Sequence, residues 1–428
     1  MYRRGDHSFG ALPDLWYERG RTRTHIHMNH HVVITAVGIL NALGAGVAEV
    51  SEALFQGVQD GIRESSSFIP GKTCFVAPVA TPLPECPSGM ERLWSRNAAL
   101  SLVALEQIQG KVLAAIERYG AARVGVVLGS STSGIEEGEL AIRARVETGE
   151  LPEGYDYAQQ RMGTVSEVVS LVVGAHGPSY TISTACSSSA KVFRAASNLI
   201  RAGWCDAVIT GGFDSLCKLT TNGFSALELV SDEVTNPFSK NRKGITIGEG
   251  GALILVERRE DGQLSEDSIC IAGVGESSDA YHISSPEPSG AGAIAAIRAA
   301  LNEAGISPEQ VGYINLHGTG TLHNDAMEAR AIREVFSEEV PCSSTKPLVG
   351  HMLGASGATE AAFCWMALRD GARRLPPHRF DGVFDPELPP LSLVRQGATA
   401  EAPLRYVVSN SFGFGGSNCA VVMRRGAP

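Results

Sequence analysis

Near its middle the chain reads TISTACSSSA, from Thr181 to Ala190, and this run joins the signals of a strand and a helix. A β-branched stretch leads into Cys186, and a helical pattern of apolar residues follows from Ala190 to Ile200. The pattern predicts a sharp strand-to-helix turn that exposes the sulfur. The positive end of the helix dipole would favour the thiolate of Cys186 over its thiol. Cys186 is therefore a candidate nucleophile, although a buried and inert cysteine fits the same run.

Short β-branched runs bounded by glycine alternate with alanine-rich stretches on both sides of this segment. That alternation is typical of an α/β protein with buried strands. Strands are predicted at 32–39, 123–129, 179–184, 206–212, 250–257, 269–275, 311–316, 405–410 and 418–423. Helices are predicted at 94–118, 187–202, 291–304, 325–336 and 356–370.

A faint internal repeat divides the chain. The run VVITAVG at 32–38 resembles ICIAGVG at 269–275, and a strand that ends in Gly129-Ser130 resembles one that ends in His317-Gly318. The polar stretch at 260–267 has the composition of an exposed connector. We predict three parts: a loose extension at 1–27, an N-terminal α/β half at 28–262 that carries Cys186, and a C-terminal α/β half of similar design at 263–428 that carries His317 and His351.

Composition narrows the class of protein. The 428 residues suffice for two α/β halves, and 43% hydrophobic residues describe an ordinary globular protein. We find no uninterrupted apolar run of about 18 residues, so no membrane span is predicted. A net charge of −10 argues against general nucleic-acid binding. Nine scattered cysteines without a CxxC pair indicate reduced thiols in a cytoplasm rather than a disulfide framework or a zinc site.

The first 27 residues differ from the rest. They carry five arginines against three acids and no apolar core segment, which excludes a secretory signal. We expect either that translation starts at Met28 or that the segment is a loose extension. The cluster His25, His27, His30 and His31 could bind a metal, but a His-rich flexible tail is the commoner case, and no metal is predicted.

Two further motifs place histidines on glycine-rich turns. His317 lies in NLHGTGT at 315–321, at the end of a predicted buried strand. His351 lies in KPLVGHMLGASG at 346–357, five residues after Lys346 and just before a predicted helix. One histidine in such a loop is more often structural than catalytic, but two of them favour a catalytic site.

The last motif is NSFGFGGSN at 410–418. It superficially suggests a dinucleotide loop, but it lacks the GxGxxG spacing, a following helix and the downstream acid. A flexible glycine loop that carries Phe414 suits a gate instead. Its backbone N–H groups can face an oxyanion.

Taken together, TACSSSA, HGTGT, KPLVGHMLGASG and NSFGFGGSN resemble, in order and spacing, the motifs of type I and type II β-ketoacyl-acyl-carrier-protein synthases. The resemblance runs from about residue 32 to 424. It implies the thiolase fold, with two similar α/β halves in a layered α-β-α-β-α arrangement. It also implies a decarboxylative Claisen condensation, in which malonyl-carrier protein loses CO₂ and attacks an acyl group held on a cysteine. Fatty-acid or polyene-type biosynthesis would use such a reaction.

The resemblance assigns roles to the central residues. Cys186 would be the acylated nucleophile. The backbone N–H groups of Cys186 and Phe414 would form an oxyanion hole, and His317 and His351 would face the malonyl thioester.

Supporting roles follow from the same resemblance. Lys346 would orient and polarise the two histidines, and Glu360 and Glu328 would balance its charge. The hydroxyls of Thr319 and Thr321 would hold the phosphopantetheine arm of the carrier. No permanently bound cofactor is expected, because the substrates arrive on that arm.

Two segments depart from the family pattern. In GSSTSGI at 129–135, which matches the acyl tunnel, Thr132 stands where type II enzymes carry a bulkier aliphatic residue and type I enzymes a glycine. Chain-length preference therefore does not transfer, and STSGI with TACSSSAK resembles synthases of polyene-type pathways. In NPFSKNRKG at 236–244 the acids of RPFDxxRDG are missing. Lys240, Arg242 and Lys243 become candidate docking cations for an acidic carrier protein, with a solvated surface turn as the alternative.

We expect the acyl carrier protein as partner and a homodimer by default, with a heterodimer containing a cysteine-less homologue left open. Three rivals remain. A thiolase would carry a second catalytic cysteine in the terminal glycine loop, whereas Cys419 belongs to the strand after it. A type III synthase would carry asparagine at the position of His351. A non-catalytic chain-length factor would lack Cys186.

Overall fold

The computed structural model describes residues 30–426. The extension predicted at 1–27, with His25 and His27, and the predicted start at Met28 lie outside the described residues. The strands are β1 His30–Asn41, β2 Gly44–Ala45, β3 Arg63–Ser65, β4 Cys74–Ala77, β5 Val124–Gly129, β6 Ser179–Ile182, β7 Ala207–Asp214, β8 Ile247–Gly248, β9 Gly250–Glu260, β10 Ile269–Ser278, β11 Val311–Asn315, β12 Pro341–Ser343, β13 Ser392–Leu393, β14 Tyr406–Gly413 and β15 Ser417–Arg425. The helices are α1 Val47–Gln56, α2 Arg96–Tyr119, α3 Ile135–Thr148, α4 Thr164–Val173, α5 Ser188–Arg201, α6 Lys218–Ala226, α7 Ala291–Ala304, α8 Leu322–Val335, α9 Lys346–Val349 and α10 Ser356–Arg369.

The main sheet repeats one pattern of five strands. Its order is β13-β12-β11-β14-β15-β10-β1-β9-β7-β5-β6, with β2 attached to β1. In β6-β5-β7-β9-β1 the first three strands are parallel and the last two are antiparallel to their neighbours, and β12-β11-β14-β15-β10 repeats this order and direction. The two similar runs VVITAVG and ICIAGVG therefore occupy equivalent strands, β1 and β10. The division at 262/263 stays a prediction.

Helices cover and separate the two groups of strands. α2 and α4 pack on the first group, and α7 and α8 lie beside the second. Between the groups, α5 and α10 contact each other, and each packs against strands of both groups. Buried residues of α5 such as Phe193, Ala196 and Ile200 lie in one core cluster with Ala361 and Phe363 of α10. This is the predicted layered α-β-α-β-α arrangement of two similar α/β halves.

All nine predicted strands and all five predicted helices are present, with ends that shift by up to three residues. The predicted helix at 187–202 is α5, which begins at Ser188 directly after the candidate nucleophile. Helices α1, α3, α4, α6 and α9 and the shortest strands are not predicted from the sequence. One edge of the main sheet is the four-residue β6, which pairs only with β5 among the described residues.

One helix in the described part of the chain, α2, is long and apolar enough to cross a membrane. Ten of its residues are buried, and it packs on β1, β7, β9 and α4. Packing of this kind, on three strands and another helix, is typical of a core helix. Ser95 caps its start, because the Ser95 hydroxyl accepts the N–H of Ala98.

Candidate active site

Cys186 sits on a tight turn between β6 and α5. Ala185 has a left-handed backbone with φ of 53°, which costs energy for a residue with a Cβ atom. The Ser188 hydroxyl holds the turn, because it accepts the N–H of Thr184 at 2.8 Å and donates to the carbonyl of Ala185 at 2.5 Å. The strained turn therefore fixes the sulfur at the start of the helix.

His317 follows the end of β11, and Glu328 of α8 fixes its backbone. The carboxylate of Glu328 accepts the N–H groups of His317 at 2.7 Å and Gly318 at 2.6 Å. Burial raises the pKa of Glu328 to about 8. The side chain of His317 is buried beside Phe412, with a ring-centroid distance of 6.0 Å.

Lys346 lies buried under His317. Its Nζ atom is 2.5 Å from Oε1 of Glu360, 2.5 Å from the carbonyl of His317 and 3.3 Å from Nδ1 of the same residue. A lysine ammonium can only donate, so Nδ1 of His317 accepts and Nε2 carries the proton. Burial raises the pKa of Glu328, and the charge of Lys346 opposes that effect without a direct contact, so charge balance by Glu328 stays a prediction. Glu360 is the carboxylate in direct contact, whereas both oxygens of Glu328 are engaged by the backbone.

His351 bridges the cysteine and α10. Its Nε2 atom lies 3.1 Å from Sγ of Cys186, and its Nδ1 atom lies 2.9 Å from the hydroxyl of Ser356. The rings of His317 and His351 meet edge to face, with centroids 5.3 Å apart. The sequence reading did not single out Ser356, although it belongs to the same motif as His351. Three motifs that are far apart in sequence thus meet at one point.

Both imidazoles are neutral at ordinary pH. Burial lowers the pKa of His317 well below its usual value, and the charge of Lys346 and the nearby His351 lower it further. Burial and Lys346 likewise lower the pKa of His351 well below its usual value. The two rings can therefore donate hydrogen bonds without carrying a charge.

The thiol of Cys186 departs from the expectation. Burial raises its pKa to about 11, although the backbone N–H of Phe414, the charge of Lys346 and the backbone N–H of Cys186 lower it. Burial therefore makes the thiol the resting form of Cys186, contrary to the prediction of a favoured thiolate. The backbone N–H groups of Phe414 and Cys186 lie near enough to the thiol to lower its pKa, and their role as an oxyanion hole stays a prediction.

Alkylation should report this protonation state. We expect the rate constant for iodoacetamide at Cys186 to rise about tenfold for each pH unit between roughly pH 7 and 9, because only the thiolate reacts. Mass spectrometry of the modified peptide would follow the reaction in a Cys86→Ala background, which removes the half-buried cysteine. A rate that levels off below about pH 8 would contradict the raised pKa.

A cavity of about 230 Å³ leads to the side chains of Cys186, His317 and His351. Thr319 and Thr321 line it, and their hydroxyl oxygens are 3.0 Å apart. Phe414 also lines it and contacts Phe224 with ring centroids 5.4 Å apart. The predicted phosphopantetheine and gate residues are thus on the path to Cys186.

Thr132 is buried and does not line this cavity. Its hydroxyl donates to Oδ1 of Asp214 at 2.9 Å and accepts the N–H of Ser215 at 3.1 Å. The neighbouring Ser131 hydroxyl donates to the carbonyl of Ala185, beside the cysteine. The position of Thr132 in an acyl tunnel therefore stays a prediction.

The predicted docking cations lie in different surroundings. Arg242 is 7% exposed, and its Nη1 atom is 2.6 Å from Oδ2 of Asp385. The prediction that Arg242 contacts a carrier protein is wrong, because its guanidinium is buried in an ion pair. Lys240 is exposed, and the exposed Lys243 lies 2.8 Å from Oε1 of Glu233. The docking role of these two lysines stays a prediction.

Cysteine and histidine are also zinc ligands, and the sulfur of Cys186 and the ring nitrogens of His317 and His351 lie within 4.8 Å of one another. The ammonium of Lys346 next to His317 would repel a metal cation. Metal binding would also have to deprotonate a thiol whose pKa is raised. Catalysis by the protein's own groups fits the site better.

Comparisons with known proteins agree with this geometry. The profile described as "Beta-ketoacyl synthase, N-terminal domain" matches residues 96–262, and "Beta-ketoacyl synthase, C-terminal domain" matches residues 269–379. The chain is 31% identical over 415 residues to 3-oxoacyl-[acyl-carrier-protein] synthase 2 of Staphylococcus aureus (strain COL), covering 93% of this chain and 99% of the relative.

Solved structures give the same result. A ketosynthase (ApeO), in complex with its chain length factor (ApeC), from Xenorhabdus doucetiae is 42% identical with a TM-score of 0.86, covering 94% of this chain and 100% of that one. A β-ketoacyl synthase from Burkholderia phymatum STM815 is 28% identical with a TM-score of 0.81, covering 92% and 99%. The fold, the order of the motifs and these similarities together show that the chain belongs to the β-ketoacyl synthase family, the condensing acyltransferases of thiolase-like fold.

Proposed function

We propose that the chain acts as a β-ketoacyl-acyl-carrier-protein synthase that holds an acyl group on Cys186 and condenses it with a malonyl group presented on a carrier protein. The observation that carries the proposal is the contact of 3.1 Å between Nε2 of His351 and Sγ of Cys186, with His317 beside them. A thiol and two neutral imidazoles at the end of a cavity suit both an acyl transfer and a decarboxylation.

Acyl transfer is the first half of the proposed reaction. The sulfur of Cys186 attacks the incoming thioester, and the backbone N–H groups of Cys186 and Phe414, which lie beside the thiol, would donate to the carbonyl oxygen as it becomes negative. Each such donor typically lowers the barrier by about 3 kcal/mol. The resting sulfur is protonated, so it gives up its proton during the attack. That proton passes to the phosphopantetheine sulfur, which leaves as a free thiol when its bond to the acyl carbon breaks.

Decarboxylation is the second half. Loss of CO₂ from the malonyl group develops negative charge on its thioester oxygen. Nε2–H of His317 would donate to that oxygen because Lys346 occupies Nδ1. The hydroxyl of Ser356 can donate to Nδ1 of His351 and leave Nε2–H for the same oxygen. Two donors that gain strength as the enolate forms stabilise the transition state more than the substrate.

The substrates need no permanently bound cofactor, because the phosphopantetheine arm of the carrier brings them to the cysteine. The hydroxyls of Thr319 and Thr321 face the cavity and suit the amides of that arm. Among Lys240, Arg242 and Lys243, the exposed Lys240 is the best candidate for attracting an acidic carrier protein. The nine free cysteines of the described chain support a cytoplasmic location.

We further propose that the functional unit is a pair of unlike subunits. The 42% identical ketosynthase was solved in complex with a chain length factor. In this chain, β6 leaves one edge of the sheet open, and Tyr180 on that strand is 40% exposed. Leu171 and Trp204 flank it and are 57% and 66% exposed. A second thiolase-fold subunit would cover these apolar side chains and extend the sheet.

The assembly and the reaction can be tested together. With a cysteine-less homologue co-expressed, we expect a complex of about twice the 45.1 kDa chain mass by light scattering, and β-ketoacyl-carrier product by mass spectrometry. The chain alone should give at most a small part of that product, because the apolar edge would lack its cover. Full activity of a homodimer would contradict the unlike pair, and no condensation in either preparation would contradict the proposed function.

The thiolase alternative loses support. Cys419, the nearest cysteine to the terminal glycine loop, is fully buried within β15. It is paired in the sheet with Glu276 of β10 and Ser411 of β14 and does not line the cavity. A second catalytic cysteine, which a thiolase needs, is therefore not supplied by this residue.

A further inference from the structure

The turn that follows His317 is held tightly from two sides. Gly318 has a positive φ of 35°. A Cβ atom added there would lie 2.5 Å from Cβ of Ser344 and 2.9 Å from the ring of Phe238. Real Cβ atoms do not come so close to other atoms, so Ser344 and Phe238 pack directly against the turn at Gly318. The positions of these two residues therefore limit where the turn can lie.

Ser344 holds the first side. Its hydroxyl donates to the carbonyl of Gly318 at 2.6 Å and lies 3.4 Å from the backbone N of Lys346. The segment that carries Ser344 therefore sets both the turn and the backbone of the lysine that contacts Nδ1 of His317. A shift of Ser344 would move both.

Phe238 holds the second side. Its φ of 61° is strained for a residue with a large side chain, and its N–H donates to Oδ2 of Asp325 at 2.8 Å. Oδ1 of Asp325 accepts the N–H groups of Thr319 at 3.1 Å and Gly320 at 3.2 Å. Phe238 is thus tied to the same turn through a shared carboxylate.

His378 spans the two sides. Its Nδ1 atom accepts the N–H of Ser344 at 3.1 Å, and its Nε2–H donates to the carbonyl of Pro237 at 3.0 Å. Since the amide can only donate and the carbonyl can only accept, a neutral imidazole with its proton on Nε2 is required. Burial lowers the pKa of His378 to about 4, which keeps it neutral. Its ring also packs against Phe238 at a centroid distance of 5.9 Å.

We propose that His378 is a positioning residue for decarboxylation: it sets the gap between Ser344 and Phe238 and thereby aims His317 at the malonyl thioester. This inference rests on the proposed function. None of the described contacts of His378 reaches the turn that carries Cys186, which Ser188 holds. Loss of His378 should therefore slow the release of CO₂ and leave the acylation of Cys186 nearly unchanged.

Three substitutions test the two hydrogen bonds of His378, to Ser344 and to Pro237, separately. Asparagine places its Oδ1 where Nδ1 was, so His378→Asn keeps the bond to Ser344 and loses the bond to Pro237. The glutamine side chain reaches as far as Nε2 of the imidazole, so His378→Gln keeps the hydrogen bond to Pro237 and loses the one to Ser344. His378→Ala removes both. The variants are compared with the wild type in the assembly that shows condensation.

Two rates are measured for each variant: acylation of Cys186 in a single turnover, and release of CO₂ from malonyl-carrier protein. We expect His378→Ala to lower the kcat for CO₂ release about tenfold, while acylation changes by less than about twofold. His378→Asn should recover most of the lost rate of CO₂ release, because it keeps Ser344 in place, and Ser344 contacts both Gly318 and Lys346. His378→Gln should recover less.

Parallel loss of both rates in a variant of unchanged Tm would overturn the proposal, and so would unchanged CO₂ release in His378→Ala. If His378→Ala does not fold, the asparagine and glutamine variants decide, and equal CO₂ release by these two would overturn it. A wild-type assembly that accepts malonyl-carrier protein but never condenses would instead contradict the proposed function.

Discussion

Replacement of Cys186 by alanine should lower condensation by at least about four orders of magnitude, because no other group can hold the acyl chain. The turn around Cys186 is built from the backbone and from Ser188, so the smaller side chain leaves the fold intact. Release of CO₂ from malonyl-carrier protein should persist, since Nε2–H of His317 does not depend on the sulfur. The measurements are β-ketoacyl product and CO₂ on the same samples.

Peptide mapping after reaction with an acyl-carrier substrate checks the site directly. The acyl adduct should lie on Cys186 in the wild type and be absent from Cys186→Ala. Cys86→Ala is the matched control, because Cys86 is half-buried and lies outside the cavity. An adduct on Cys205, Cys217 or Cys419 would show that the nucleophile has been assigned wrongly.

Replacement of His317 by alanine should give the second large effect. CO₂ release should fall by about 10² to 10³, which is the usual cost of one donor to a developing oxyanion. Acylation of Cys186 in a single turnover should be nearly unchanged, because the described contacts of the His317 ring are with Lys346, His351 and Phe412. Radiolabelled malonyl-carrier and acyl-carrier substrates measure the two steps separately.

His351→Ala offers a contrast. Since Nε2 of His351 lies 3.1 Å from the sulfur, we expect both half-reactions to slow. His176→Ala is a suitable control, because His176 is exposed and does not line the cavity. Equal loss of acylation in His317→Ala and His351→Ala would argue against separate roles for the two histidines.

Strand and helix signals in the sequence were strongest where an element is long and lies in a core. α5 buries an apolar face, α10 is buried on nearly all sides, and β7 and β9 are long runs of buried residues, so pattern alone identifies them. β12 has only three residues, which is too short for any periodicity. α3 carries few buried residues and several exposed apolar ones, so its pattern does not mark a core face.

For the site, the sequence predicts the reactive residues but not the residues that hold them in place. The motifs around Cys186, His317 and His351 were visible because each combines a reactive side chain with a glycine-rich or small-residue turn. Their neighbours were not visible, because a partner such as His378 comes from a segment that packs nearby only after folding.

The misassignment of Arg242 has the same origin. Its spacing next to Lys240 and Lys243 resembles a surface patch, but the chain turns its guanidinium inward to Asp385. The sequence likewise does not show that Glu360 contacts Lys346 directly while Glu328 binds backbone N–H groups. Sequence spacing identifies which residues carry chemistry, but side-chain partners across the fold need the structure.

The open edge of β6 has a consequence for the cell that makes this protein. An exposed strand edge is a template for pairing with other chains, and it promotes aggregation when nothing covers it. β6 is only four residues long, which limits this hazard without removing it. If a second subunit normally covers the edge, the ratio in which the two polypeptides are synthesised controls how much of this one escapes precipitation and proteolysis. Balanced translation of the two genes would then be part of the protein's quality control.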